Sequence, residues 1–107
     1  MITVPLNDQG MKDMEFDSDH SIHVQEIKLN EQQFHKLYET GIFDSLNRLC
    51  NVIIDDFESE VIPYKNLLHA QKEIKNVFGN NEMNEVSLLL QLIDLAILKQ
   101  TGIYFYF

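Results

Sequence analysis

Residues 82–107, EMNEVSLLLQLIDLAILKQTGIYFYF, carry two different periodicities in succession, and together they set the fold class. In the first part the polar residues Asn84, Ser87, Gln91 and Asp94 recur at spacings of three, four and three. That is one narrow wet stripe on a helix over about Glu82–Gln100, and nearly every other position is apolar, so the helix is central and packed on most sides. Gly102 ends it. IYFYF then alternates with a period of two, Ile103, Phe105 and Phe107 on one face of a strand and Tyr104 and Tyr106 on the other. An aromatic strand left unpaired is an aggregation hazard, so it is expected inside a small sheet, paired with residues 21–29.

Working backwards, Pro63 disfavours a helical conformation at Ile62 and suits the first turn of a new helix. A helix over Pro63–Phe78 follows, with Tyr64, Leu67, Leu68, Ile74, Val77 and Phe78 inward and Gly79 as its stop. Asn30 with Gln33 forms a capping box, and Leu29 with Phe34 a hydrophobic staple, for a helix over Glu31–Thr40. A further helix over Phe43–Cys50 places Phe43, Leu46, Leu49 and Cys50 on one face. Ile2–Leu6 reads as a short strand and residues 7–21 as a solvated loop. Residues 21–29, SIHVQEIKL, read as a strand with a bulge near Gln25–Glu26, where the period of two slips. The expected architecture is α+β: four helices on a small, mainly antiparallel sheet, one domain over 1–107 with residues 1–20 more loosely held.

Charge is distributed unevenly along the chain. Residues 1–60 hold 13 Asp and Glu against 4 Lys and Arg, whereas residues 61–107 hold 4 of each. The whole formal charge of −9 therefore belongs to the N-terminal part. Such a surface repels nucleic acid and anionic membrane and attracts basic proteins through long-range steering. Phosphate contacts need clustered Lys and Arg, and Arg48 is the only arginine. No stretch is long and apolar enough to span a membrane, and MITVPLNDQGMKDMEF lacks the pattern of a secretory signal. Cys50 is the only cysteine, so no internal disulfide forms. A lone thiol on an apolar helical face is expected as a small buried hydrophobe in a reducing compartment, the cytoplasm.

The acidic run Asp55, Asp56, Glu58, Glu60 is the foremost candidate site. In an extended segment Asp56, Glu58 and Glu60 share a face, with Phe57 turned to the core. Such carboxylates can meet the Lys and Arg of a basic groove, hold a hard divalent cation, or form a plain solvated loop. The calcium-loop pattern with its turn glycine is missing, and the two histidines at 20 and 23 would lie on opposite faces of a strand. Asp13, Glu15, Asp17 and Asp19 alternate as well, and Asp17 and Asp19 are second-rank contributors. Tyr64 serves either as an aromatic anchor at the edge of the patch or as helix packing. No nucleophile elbow and no glycine-rich phosphate loop is present, so the chain is read as a non-enzyme without cofactor or metal. Competing readings are a small metal-dependent enzyme using the 55–60 carboxylates, a non-catalytic adaptor that pairs through its aromatic strand, and a DNA mimic.

Residues 34–62, FHKLYETGIFDSLNRLCNVIIDDFESEVI, together with LIDLAILKQTGIYFYF at 92–107, resemble the small acidic immunity proteins of bacterial polymorphic toxin systems. The contact-dependent growth inhibition systems are the nearest comparison. The resemblance covers residues 27–107, with IDDFESE and TGIYFYF its most distinctive segments. It implies a cytoplasmic protein without activity of its own that binds the toxin domain delivered by a neighbouring cell. Those toxins are commonly nucleases, often acting on tRNA, with basic grooves that the immunity protein blocks at the active site or an adjacent exosite. On that reading Asp55, Asp56, Glu58 and Glu60 pair with Lys or Arg of the toxin.

Overall fold

The computed structural model of the chain describes residues 1–16, 22–55 and 59–107. Its elements run β1 (Ile2–Pro5), α1 (Asp8–Glu15), β2 (Val24–Ile27), α2 (Glu31–Glu39), α3 (Ile42–Cys50), β3 (Ser59–Pro63), α4 (Tyr64–Phe78), α5 (Asn84–Lys99) and β4 (Gly102–Tyr106). The four strands form one antiparallel sheet in the order β2-β1-β4-β3. The class is α+β as expected, with five helices rather than four among the described residues.

The aromatic strand β4 lies between β1 and β3, not against residues 21–29. Pairing on both edges satisfies its backbone groups and removes the exposed edge that its composition could not tolerate. Ile2 stands opposite Phe105 and Ile62 opposite Ile103, so Ile2, Val4, Ile62, Ile103 and Phe105 make the apolar inner face. Tyr104 and Tyr106 occupy the outer face, their rings stacked at 6.4 Å. The β1–β2 ladder is continuous from Ile2↔Ile27 to Pro5↔Val24, without the expected bulge. Val24 and Ile27, between which the period slips, are both partly buried at the two ends of the strand, and Ile22 lies before it and is exposed.

Residues 8–15, expected as loop, form α1. Asn7 caps it by accepting from the Gly10 amide at 2.9 Å, and Asp8 sits in the first turn, where the helix dipole favours an acid. Gly10 is buried because the helix crosses the backbone of His23 at close range, with no room there for a Cβ. Asp13 and Glu15 therefore stand on a helix and do not share a face as they would in a strand.

The remaining helices follow their local signals. Asn30 Oδ1 accepts from Gln33 N at 2.8 Å and Gln33 Oε1 accepts from Asn30 N at 2.9 Å, the expected capping box. Gly41 turns the chain between α2 and α3 with φ +87°, a region open to glycine. Leu67, Ala70, Ile74 and Phe78 bury one face of α4, while Leu68 and Val77, expected inward, are exposed. Along α5, Asn84, Ser87 and Gln91 are exposed, and Val86, Leu89, Leu92, Ile93 and Ala96 are buried. One cluster of buried residues joins the inner sheet face to α2, α3, α4 and α5. Among the described residues no helix is long and apolar enough to cross a membrane.

Candidate partner-binding surface

Three elements meet at the end of the domain where β4 finishes. Phe34 and Tyr38 project from α2 and Phe43 from the start of α3. Phe107, which follows β4, closes the group, its ring 4.6 Å from Phe34 and 5.7 Å from Phe43. Tyr38 packs its half-buried ring on Phe34 at 5.8 Å and on Phe43 at 6.1 Å. This aromatic floor fixes the phenol. Asp44 and, after it, Asp55 lie close enough to hold the Tyr38 hydroxyl above the usual phenol range, with a smaller contribution from burial. Asp44 of α3 and Asp55, five residues past the end of that helix, thus both act on the one phenol.

The connection after α3 is tied down by side chains. Asn51 ends the helix in the left-handed region, φ 55°. Asn66 donates to the Cys50 carbonyl at 3.2 Å, and the Cys50 thiol donates to the Asn66 carbonyl at 3.6 Å. Asn47 grips Ile54 on both sides: its Oδ1 accepts from Ile54 N at 2.7 Å and its Nδ2 donates to Ile54 O at 3.3 Å. Ile54 is only 1% exposed and serves as the apolar anchor of the segment. Asp55, the next residue, is exposed.

Glu60 occupies a different environment from the one its alternation with Asp56 and Glu58 implied. It pairs across the sheet with the fully buried Phe105 and is itself half-buried. Its Oε2 accepts from Ile53 N at 3.0 Å and its Oε1 from Val61 N at 3.2 Å. Tyr64 is half-buried at the first position of α4. Asp17, Asp19, His20, Asp56, Phe57 and Glu58 lie outside the described residues. The structure therefore brings Asp55 together with two residues that the acidic run did not point to, Tyr38 and Asp44.

Cys50 is buried on the apolar face of α3, and burial pushes its thiol up. Among the described residues no group of three or more His, Cys, Asp or Glu side chains is arranged to hold a metal ion. Ion pairing accentuates the charge asymmetry of the sequence. Lys75 of α4 pairs with Asp94 of α5 at 2.9 Å, neutralising charge within the C-terminal part. Arg48, one of four cations in residues 1–60, turns to Glu73 of α4 at 3.5 Å. That pair spends an N-terminal cation on a C-terminal acid and leaves the N-terminal excess of carboxylates in place.

No protein-family model, characterised protein or solved structure matches this chain.

Proposed function

We propose that this chain is an immunity protein: a cytoplasmic, non-catalytic inhibitor that binds a cognate toxin domain and silences it by covering its basic groove. The toxin is a nuclease in this reading, of the kind that cleaves tRNA. One observation carries the proposal, the concentration of the entire formal charge of −9 in residues 1–60. A field of that sign raises the encounter rate with a basic partner and orients it on approach. Lasting affinity needs more, because rim charges act on association while a desolvated, well-packed centre sets the lifetime. Tyr38 suits such a centre: a rigid aromatic with a polar tip, supported from beneath by Phe34 and Phe43 and rimmed by Asp44 and Asp55. Asp55 meets Lys or Arg directly in this scheme, and Asp56 and Glu58 extend the same acidic run.

The deciding experiment is purification of the tagged chain from its own cells at low and moderate salt, with mass spectrometry of whatever accompanies it. A basic protein recovered near one-to-one, whose nuclease activity is silent in the complex and returns on dissociation, supports the reading. Recovery of the chain alone at both salt concentrations overturns it. With the partner in hand, Asp55→Asn is expected to weaken binding and flatten its dependence on salt.

A further inference from the structure

We propose that Asn47 and Glu60 are positioning residues that hold the Ile53–Asp55 segment in its binding conformation before any partner arrives. The inference rests on the reading of the chain as an inhibitor of a basic protein, and it assigns Glu60 a role other than contact with that protein.

The argument begins with the backbone. Residues 52–55 follow α3 outside any helix or strand, and their amides and carbonyls need partners that no helix or ladder supplies. Side chains on rigid elements supply them. The Asn47 carboxamide, on the last turns of α3, presents one acceptor and one donor, and both are used on Ile54. Aspartate in its place would lack the donor, and an aliphatic side chain would lack both. The Glu60 carboxylate, on β3, takes the amide of Ile53 with one oxygen and that of Val61 with the other. Consecutive residues are thus fastened from opposite sides, one by the helix and one by the strand, while the Ile54 side chain is sunk in the core. Asp55 follows directly on this fixed pair.

For binding, the consequence is thermodynamic. A segment that must be ordered on contact gives up affinity to conformational entropy, and a segment already ordered does not. Glu60 contributes through the shape of the segment, because backbone amides already occupy an acceptor position on each of its oxygens. Its charge is then a poor candidate for the toxin groove.

The test uses the intact chain and has one part that needs no partner. Amide hydrogen exchange is followed at Ile53 and Ile54 in the wild type and in the Asn47→Ala and Glu60→Gln variants, with Leu89 of α5 as the reference for global stability. In the same samples the Tyr38 phenol is titrated by NMR, Asp44→Asn marking the effect of losing one neighbouring carboxylate outright. Faster exchange by about tenfold or more at Ile54 in Asn47→Ala, and at Ile53 in Glu60→Gln, is expected with Leu89 unchanged. The Tyr38 titration should move down towards the ordinary phenol value as Asp55 drifts away. Unchanged exchange at both amides overturns the clamp. Should Asn47→Ala not fold, Asn47→Leu, similar in size but without the acceptor, carries the same comparison at the Ile54 amide.

The second part uses the toxin domain recovered by co-purification. Asn47→Ala should weaken binding about tenfold, the scale of ordering one backbone residue, with an unaltered salt slope because no charge is lost. Exchange that rises without any change in affinity leaves the immunity reading standing and overturns the positioning role. Absence of any basic partner overturns the immunity reading, and with it the positioning role in binding, whatever the exchange rates show.

Discussion

Replacing Gly10 with alanine sets two energies of opposite sign against each other. Gly10 is the third residue of α1, and inside a helix alanine is better than glycine by about 1 kcal/mol. Local propensity therefore predicts a stabilised protein. Packing predicts the reverse. A Cβ built on Gly10 would collide with the carbonyl oxygen of His23 and stand 3.1 Å from its carbon and 3.2 Å from Pro5 Cβ. The obstacle is backbone, which cannot rotate aside, and the same His23 oxygen accepts the Leu6 amide at 2.8 Å, so pushing it away strains that bond too. Overpacking of this kind costs about 1–3 kcal/mol, and a weakened hydrogen bond adds about 1 kcal/mol. After the gain in propensity the net loss is about 2 kcal/mol, or about 10 °C in Tm for a domain of this size. Urea titration measures it directly. A second readout is local: Tyr104, held above the usual phenol range by burial first and Glu15 second, should titrate lower as α1 lifts away. A Gly10→Ala protein more stable than the wild type by about 1 kcal/mol would refute the close packing of α1 on His23.

Two threonines should respond in opposite directions to the same substitution. Thr101 Oγ1 donates to the Pro5 carbonyl at 2.6 Å inside the protein, so Thr101→Val strands that carbonyl and should cost about 1–3 kcal/mol in a urea titration. Thr3 Oγ1 is buried without a hydrogen-bond partner among the described residues, so Thr3→Val should stabilise by about 1 kcal/mol in the same assay. Phe43→Ala removes a fully buried ring in contact with Phe34, Tyr38, Phe105 and Phe107, and should cost about 3–5 kcal/mol by the same measurement. Stability should fall on the alkaline side. Cys50 is held above its ordinary 9.0 by burial, and Tyr38 and Tyr104 above 10.0, so the folded state binds these protons more tightly than the unfolded state. Their contribution is intact below pH 9.0 and is lost as pH rises through the raised values. A flat urea midpoint from pH 8 to 11 would contradict it.

What the sequence made legible was local, and what it concealed was not. The Asn30–Gln33 box and the alternation of IYFYF specify a helix start and a strand by themselves, because every residue involved is within a few positions of the next. The neighbours of β4 are a different matter: its pattern shows that both faces are occupied but not which strands flank it. Gly10 concealed α1 because glycine reads as a breaker until the His23 backbone beside it is known. Leu68 and Val77 fit an apolar helical face by spacing yet lie outside the strip that α3 and α5 cover. In the candidate site, Asp55 was legible from the acidic run. Tyr38 and Asp44 were not, since they sit on two helices whose mutual placement is set by the positive-φ turn at Gly41 and by packing around Phe43. Glu60 shared the run's alternation, but its pairing opposite Phe105 and its bonds to Ile53 and Val61 are tertiary facts.

The place of β4 between β1 and β3 also governs the order in which the fold can be assembled. Its partners across one ladder are Ile2 and Thr3, matched with Phe105 and Tyr104, so the middle of the sheet closes a loop of about a hundred residues. In chain order β4 comes after both strands that flank it, so the central strand is synthesised later than its neighbours. Until it is made, β1 and β3 each lack a neighbour, and the inner faces of α4 and α5 have little sheet to rest on. Contacts of such long range slow the conversion to the native state. A fold built this way closes late: nascent chains stalled before residue 102 should remain open to protease, and resistance should appear only after β4 has docked.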